Sequence, residues 1–332
     1  MRIGMMSFAH MHAASYASCL SQIDGVEIAG IFDEDEDRGK AMAKRFCGEK
    51  YYSDYDELLK QGMDAVIVCA ANADHKEYVI AAAEAGCGHI LCEKPIATTL
   101  EDAQAMVDRC REKGAKFGIA FPCRYIPAVM GAKRSLEEKA IGKLLAARTT
   151  NHGSMPGGWF IQAEKSGGGA LMDHTPHVVD LLRWFMDSDA VEVYAEADTL
   201  FHDMDIDDAG LLTIQFDNGV FATLDTSWSR TKSFPTWGDV TMEIVGMDGV
   251  ISVDAFAQDL DLYSDAKMKA QYVYWGDNMD LGLVQDFVDS VSGKKPFQVT
   301  GEDGLRALEV AMAAYISAEK NMPVKIADIR PK

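Results

Sequence analysis

Between Arg2 and Phe121, short apolar runs alternate with stretches of helical periodicity, and this alternation restricts the chain's fold more than any other feature. Arg2–Met6, Val26–Phe32, Ala65–Ala70, Ile90–Cys92 and Phe117–Phe121 read as strands. Ala13–Gln22, Glu36–Phe46 and Lys76–Ala85 read as the helices between them, and Thr98 with Glu101 has the spacing of a capping box that opens a further helix to about Glu112. Strands that are apolar throughout and each followed by a helix belong to a parallel sheet covered on both faces. Residues 1–122 are therefore expected to form a doubly wound α/β domain of the Rossmann type.

The pattern changes after Pro122. A helix is expected over Ala128–Lys139, and longer strands with period-two alternation follow. Leu211–Phe216 and Val220–Thr226 flank Asp217-Asn218-Gly219, and Thr241–Val245 and Val250–Asp254 flank Met247-Asp248-Gly249; both pairs read as hairpins. A helical pattern covers Gly304–Lys320. Residues 123–332 are thus expected to form a second, α+β domain.

Lys and Arg number 32 against 52 Asp and Glu, a net charge of −20, which opposes binding to nucleic acid or anionic lipid and leaves small molecules as the expected ligands. No apolar run approaches the roughly 20 residues of a membrane helix. His10 and His12 come too early for a signal peptide. Seven cysteines without repeated CxxC spacing fit free thiols in a reducing compartment, so a cytoplasmic protein is expected.

The chemistry concentrates at the expected C-terminal edge of the first sheet, where open α/β sheets bind ligands. Lys94, within Glu93-Lys94-Pro95, follows the strand ending at Cys92. The loop after the first strand places Ser7, Ala9 and His12 at the three glycine positions of a dinucleotide fingerprint, so Ser7, Phe8, Ala9 and His10 are the candidate phosphate cradle. Asp33 ends the second strand, where a carboxylate can accept hydrogen bonds from an adenosine ribose. Glu34 and Asp35 beside it would repel a 2′-phosphate, which favours NAD over NADP. Ala71, Asn72 and His75 follow the third strand at the same edge.

A second site lies in the second half. Gly167-Gly168-Gly169 precedes Asp173 and His177, which share a helix face at a spacing of four. A histidine beside a carboxylate suits proton exchange with a hydroxyl. A zinc cluster of His152, His174 and His177 competes with this reading, but no HExxH or paired-cysteine pattern supports it. Arg124, Tyr125, His152, Trp159 and His174 are candidates for the substrate wall.

Together these residues resemble the glucose–fructose oxidoreductase / inositol dehydrogenase / rhizopine-catabolism (Gfo/Idh/MocA) family. The resemblance rests on Glu93-Lys94-Pro95, Arg124-Tyr125-Ile126-Pro127, the glycines leading to Asp173 and His177, Phe216-Asp217-Asn218-Gly219, Ser227-Trp228, and Val299-Thr300-Gly301-Glu302-Asp303-Gly304. It implies an open-faced mixed, mainly antiparallel second sheet, often an oligomer interface, and hence a homodimer or homotetramer. It also implies NAD(P)-linked oxidation or reduction of sugars, cyclitols and related polyols. In that family's pattern Lys94 positions the substrate hydroxyl, His177 is the general acid/base, and Asp173 orients His177. No metal is implied. The Ser7–His12 loop departs from the glycine-rich form, as do Ala70-Ala71 and His174 from the family's usual choices. Two alternatives use the same scaffold: an NAD-retaining, redox-assisted glycosidase, and a sugar-binding or regulatory protein without cofactor affinity.

Overall fold

The computed structural model describes residues 1–331 except 267 and 275. In the first domain, β1 (Arg2–Met6), β2 (Glu27–Phe32), β3 (Tyr51–Tyr52), β4 (Ala65–Val68), β5 (His89–Cys92) and β6 (Lys116–Ile119) form a parallel sheet in the order β3-β2-β1-β4-β5-β6. The helices between them are α1 (His12–Leu20), α2 (Glu36–Phe46), α3 (Tyr55–Leu59), α4 (His75–Glu84) and α5 (Leu100–Lys113). Strand order reverses between β1 and β4, which opens a crevice at their C-terminal ends. α5 starts one residue later than the Thr98 signal implied. Thr99 is its N-cap and accepts from the Asp102 amide at 3.2 Å. β3 and α3 had no counterpart in the sequence reading: two strand residues and five helical ones are too short to show a period.

The second domain contains α6 (Pro127–Glu137), β7 (Leu144–His152), α7 (Ala163–Ser166), α8 (Ala170–Met186), β8 (Ala190–Asp198), β9 (Ala209–Phe216), β10 (Phe221–Ser227), β11 (Thr241–Gly246) and β12 (Val250–Asp254). A separate hairpin, β13 (Asp259–Ser264) with β14 (Lys269–Tyr274), precedes α9 (Met279–Val291), α10 (Gly301–Lys320) and β15 (Val324–Lys325). The seven-stranded sheet runs β12-β11-β7-β10-β9-β8-β15, antiparallel except for β7 beside β10. Both expected hairpins form, as β9–β10 and β11–β12. α8 and α10 pack against one face of this sheet. The other face carries Leu211, Phe221 and Val250 exposed.

A cut at residue 122 does not separate the two cores in space. Leu283, Val284, Phe287 and Val288 of α9 share one apolar cluster with Ile3, Met5, Tyr16, Ile31 and Ile67 of the first sheet and α1. α9 was not anticipated, because Gly282 in its first turn weakens the helical signal.

Candidate active site

Lys94 stands two residues beyond β5, buried, and its Nζ bonds to Asp173 Oδ1 and lies 3.3 Å from Asp173 O. Asp173 and His177 lie on α8, and glycine is required just before that helix. At Gly169 the Asp207 carbonyl approaches so closely that any Cβ would collide with backbone. The Asp207 carboxylate accepts from the Gly169 amide at 2.9 Å and the Leu171 amide at 2.7 Å, satisfying the start of α8. Lys94, Asp173 and His177 line one cavity of about 280 Å³ between the domains. Burial opposes the charge on Asp173, but Lys94 and then His174 hold its carboxyl well below the usual range. Burial, reinforced by the charge on Lys94, pushes the His177 imidazole well below the usual histidine range, so the ring is neutral.

Asp173 does not orient His177 as the sequence pattern implied. Its carboxylate takes Lys94 and the Trp228 indole N–H at 3.3 Å, and lies 3.3 Å from His174 Nε2. Among the described residues no hydrogen bond joins it to His177, whose Nδ1 is buried without a partner. Asp173 therefore orients Lys94, and the shared helix face brings His177 to the cavity without a bond between the two.

The loop after β1 is tied to itself. Ser7 has φ +69°, the left-handed region that glycine enters without penalty. Its hydroxyl donates to Glu34 at 3.0 Å and accepts from the Ala9 amide at 3.1 Å. The Phe8 amide donates to Asp33 Oδ2 at 2.9 Å, the His10 amide to Cys69 O at 2.9 Å, and the His12 amide to His10 Nδ1 at 3.2 Å. Among the described residues this leaves the Met11 amide open at the start of α1. Because His10 Nδ1 accepts, Nε2 carries the ring proton; it is buried, makes no hydrogen bond and lies 3.9 Å from Glu93 Oε2, and the residue lines the cavity. Burial above all takes the His10 imidazole down to about 3.

His12 Nδ1 lies 3.1 Å from Glu93 Oε1, and Glu93 Oε2 accepts from the Lys94 amide at 3.1 Å. Burial opposes the charge on Glu93, but His12, which also bonds to it, and Lys94 keep it ionised. His10, His12 and Glu93 bring three ligand-type atoms within 4.8 Å of one another. With its proton on Nε2, His10 offers the cluster a donor rather than a lone pair. The open Met11 amide, at a helix start above the β1/β4 crevice, suits the anionic diphosphate of a dinucleotide.

Asp33 is placed differently from its expected use. Its two oxygens accept from the Phe8 and Asp35 amides and from Arg38 Nε and Nη2, at 2.9, 2.8, 3.0 and 2.7 Å. A carboxylate has about four such positions, so ribose hydroxyls would have to displace Arg38. Arg38 also reaches Glu34 at 2.8 Å. Arg38→Ala should therefore free Asp33 and expose two acids. We expect the ratio of NADP to NAD dissociation constants to rise by about tenfold, the order of one exposed charge contact near the surface. Titrations of both nucleotides would check this.

Other candidates serve as structure. His75 Nδ1 and Nε2 lie 3.0 and 3.3 Å from Pro95 O and Ala70 O and brace the loops after β5 and β4. Asn72 donates to Ser166 O at 2.9 Å, beside buried Ala71. Arg124 and Tyr125 do not reach the cavity: Arg124 forks onto Asp180, and the Tyr125 hydroxyl donates to Asp286 at 2.8 Å. His152 faces the open side of the sheet between Asp239 and Asp225, at 2.9 and 3.2 Å. Burial opposes its charge, but these two carboxylates raise its imidazole to about 9. The Trp159 indole donates to Ala9 O at 3.0 Å and stacks on Phe160, which lines the cavity in its place. His174 lies behind the cavity wall, with Nδ1 2.8 Å from Asn151 O.

Sequence reasoning missed Asn151. Its Oδ1 is buried and unpartnered, and the residue lines the cavity. Strand alternation held the signal: neighbours in β7 face opposite sides, so with His152 on the open face Asn151 must point inward. Trp228 was read only as a mark of the sheet domain, yet its indole holds Asp173.

Comparison with known proteins agrees with this architecture. Residues 2–121 match the oxidoreductase family with an NAD-binding Rossmann fold, and residues 129–252 match the GFO/IDH/MocA C-terminal domain. The chain is 28% identical to myo-inositol 2-dehydrogenase of Thermotoga maritima over 342 aligned positions, covering 99% of each chain. GenD2 from gentamicin A biosynthesis, solved in complex with NAD, superposes with a TM-score of 0.89 at 25% identity, covering 98% of this chain and 96% of that one. Levoglucosan dehydrogenase, solved with NADH and levoglucosan, gives a TM-score of 0.84 at 25% identity, with 98% and 99% covered. The chain belongs to the Gfo/Idh/MocA family of NAD-dependent oxidoreductases.

Proposed function

We propose that this oxidoreductase moves hydride between NAD and a carbinol carbon of a sugar, cyclitol or related polyol, with Lys94 and His177 at the reacting oxygen. The observation that carries this reading is their convergence on one cavity: Lys94 from the end of β5, His177 from α8. The Met11 amide would hold the dinucleotide, and when bound its nicotinamide supplies the hydride acceptor or donor. His177, neutral through burial, takes the hydroxyl proton during oxidation and returns it during reduction. The Lys94 ammonium stabilises the negative charge that develops on the same oxygen. Asp173 is a positioning residue that fixes Lys94, and Trp228 in turn holds Asp173. Of the relatives named above, myo-inositol 2-dehydrogenase and levoglucosan dehydrogenase act on a cyclitol and a sugar, which agrees with a small hydroxylated substrate.

We place the protein in the cytoplasm on its seven free cysteines, and read it as a homo-oligomer joined through the open sheet face that exposes Leu211, Phe221 and Val250. None of its helices is long and apolar enough to cross a membrane, among the described residues. The test is to incubate purified protein with NAD and a panel of hexoses, pentoses and inositols. Quenching of tryptophan fluorescence would follow cofactor binding, and absorbance would follow NADH. We expect saturable quenching and NADH formation with at least one polyol. Absence of both, or binding without net NADH, would overturn the assignment.

A further inference from the structure

The cavity's two sides differ in chemistry. Lys94, His10, Met11 and His12 come from the first domain, to which the dinucleotide binds. The second domain, which must face the substrate, contributes three polar side chains, Asn151, Asp173 and His177. It also contributes apolar side chains, among them Pro156, Phe160, Trp237, Val240 and Phe256. The polar three form one neighbourhood. His174 bonds to Asn151 O and lies against Asp173, and His177 follows one turn along α8. These five apolar residues come from separate segments: the stretch after β7, the loop before β11, and the residues after β12.

A hydroxyl taken out of water needs a partner, and an unpaired one costs about 1–3 kcal/mol. A fully hydroxylated cyclitol presents hydroxyls around its whole edge, and much of that edge would meet carbon here. A ring with hydroxyls on one side and an apolar group on the other matches both walls. Phe160, Trp237 and Phe256 offer ring faces against which such a group can stack. Trp237 is 43% exposed, so this wall extends to the rim and a substituent can project outward past it.

We infer that the substrate is a glycoside carrying an apolar aglycone, with the sugar's hydroxylated edge at Asn151, Lys94 and His177 and the aglycone against Phe160, Phe256 and Trp237. This rests on the dehydrogenase reading above. The test pairs each free hexose and pentose with its methyl and phenyl glycosides, with myo- and scyllo-inositol as fully hydroxylated controls. Rates are followed as NADH, and binding is followed calorimetrically in the presence of NAD. One buried methylene is worth about tenfold or more, so we expect the best phenyl glycoside to exceed its free sugar by at least about tenfold in kcat/KM and in affinity. Phe256→Ser should collapse that ratio. Inositols or free sugars oxidised faster, with no phenyl glycoside bound, would overturn the inference while the dehydrogenase reading stood. An unchanged ratio in Phe256→Ser would overturn the assigned wall. No NADH and no binding across the panel would instead remove the dehydrogenase reading, and the inference with it.

Discussion

Replacing His177 by asparagine should lower kcat by about 10²–10⁴-fold, the usual worth of a positioned general base, and leave the NAD dissociation constant near its wild-type value. Lys94→Met should lower kcat by a comparable factor through loss of the charge at the reacting oxygen. The two variants should differ in stability. Lys94→Met leaves the Asp173 carboxylate buried without its cation and should destabilise the fold by roughly 3–5 kcal/mol, whereas His177 has no bonded partner at Nδ1 to orphan. Steady-state kinetics beside urea denaturation separates these effects. Wild-type kcat in either variant would remove that residue from the chemistry. A pH profile adds a sign. His177 titrates below the ordinary range because of burial and Lys94, so oxidation should show no acid limb near 6.5. The same depression means the unfolded chain takes up the proton first. The stability tied to neutral His177 is therefore lost as pH falls below about 6.5, and His177→Asn should lose that dependence.

The elements with the clearest periods matched the sequence best. Arg2–Met6 and Glu36–Phe46 form with the bounds their patterns implied, and both Gly-containing hairpins fall between the expected strands. The residue types of the site were legible as well, because Lys94 after a buried strand and Asp173 with His177 on one helix face are local facts. What could not be read was the pairing. Spacing placed Asp173 beside His177, but the carboxylate turns to Lys94, 79 residues away, because a buried ammonium is a stronger partner than a neutral imidazole. Asp33 was correctly placed at the end of β2, yet its lone pairs are filled by two backbone amides and Arg38. The proposed substrate wall draws on short segments with no period, so sequence suggested Trp159 where its neighbour Phe160 lines the cavity.

Arg124 gives the second large effect, on folding rather than turnover. Its Nε and Nη2 donate to Asp180 at 2.7 and 2.5 Å, its Nη1 reaches Gln298 O at 3.1 Å, and Asp303 lies 3.6 Å away. These contacts join the short helix at Pro122–Tyr125 to α8 and to the segment leading into α10. Asp180 is fully buried. Burial pushes its carboxyl up even with Arg124 beside it, so the anion has little else to support it. Arg124→Ala should cost about 3–5 kcal/mol in urea denaturation, the penalty of an orphaned buried charge. Removing the charge as well, in Arg124→Met with Asp180→Leu, should recover at least half of that loss, because a matched apolar pair carries no desolvation debt. If the single variant costs under about 1 kcal/mol, the pair is not a clamp. If the double variant is as unstable as the single one, the loss comes from packing or from the Gln298 contact rather than from the stranded carboxylate. Since Pro122 and Cys123 of the same short helix line the cavity, and α8 carries Asp173 and His177, this pair joins two segments that line the site. In the double variant, the turnover of the folded fraction measures how much of the catalytic geometry depends on charge at this joint and how much on shape alone.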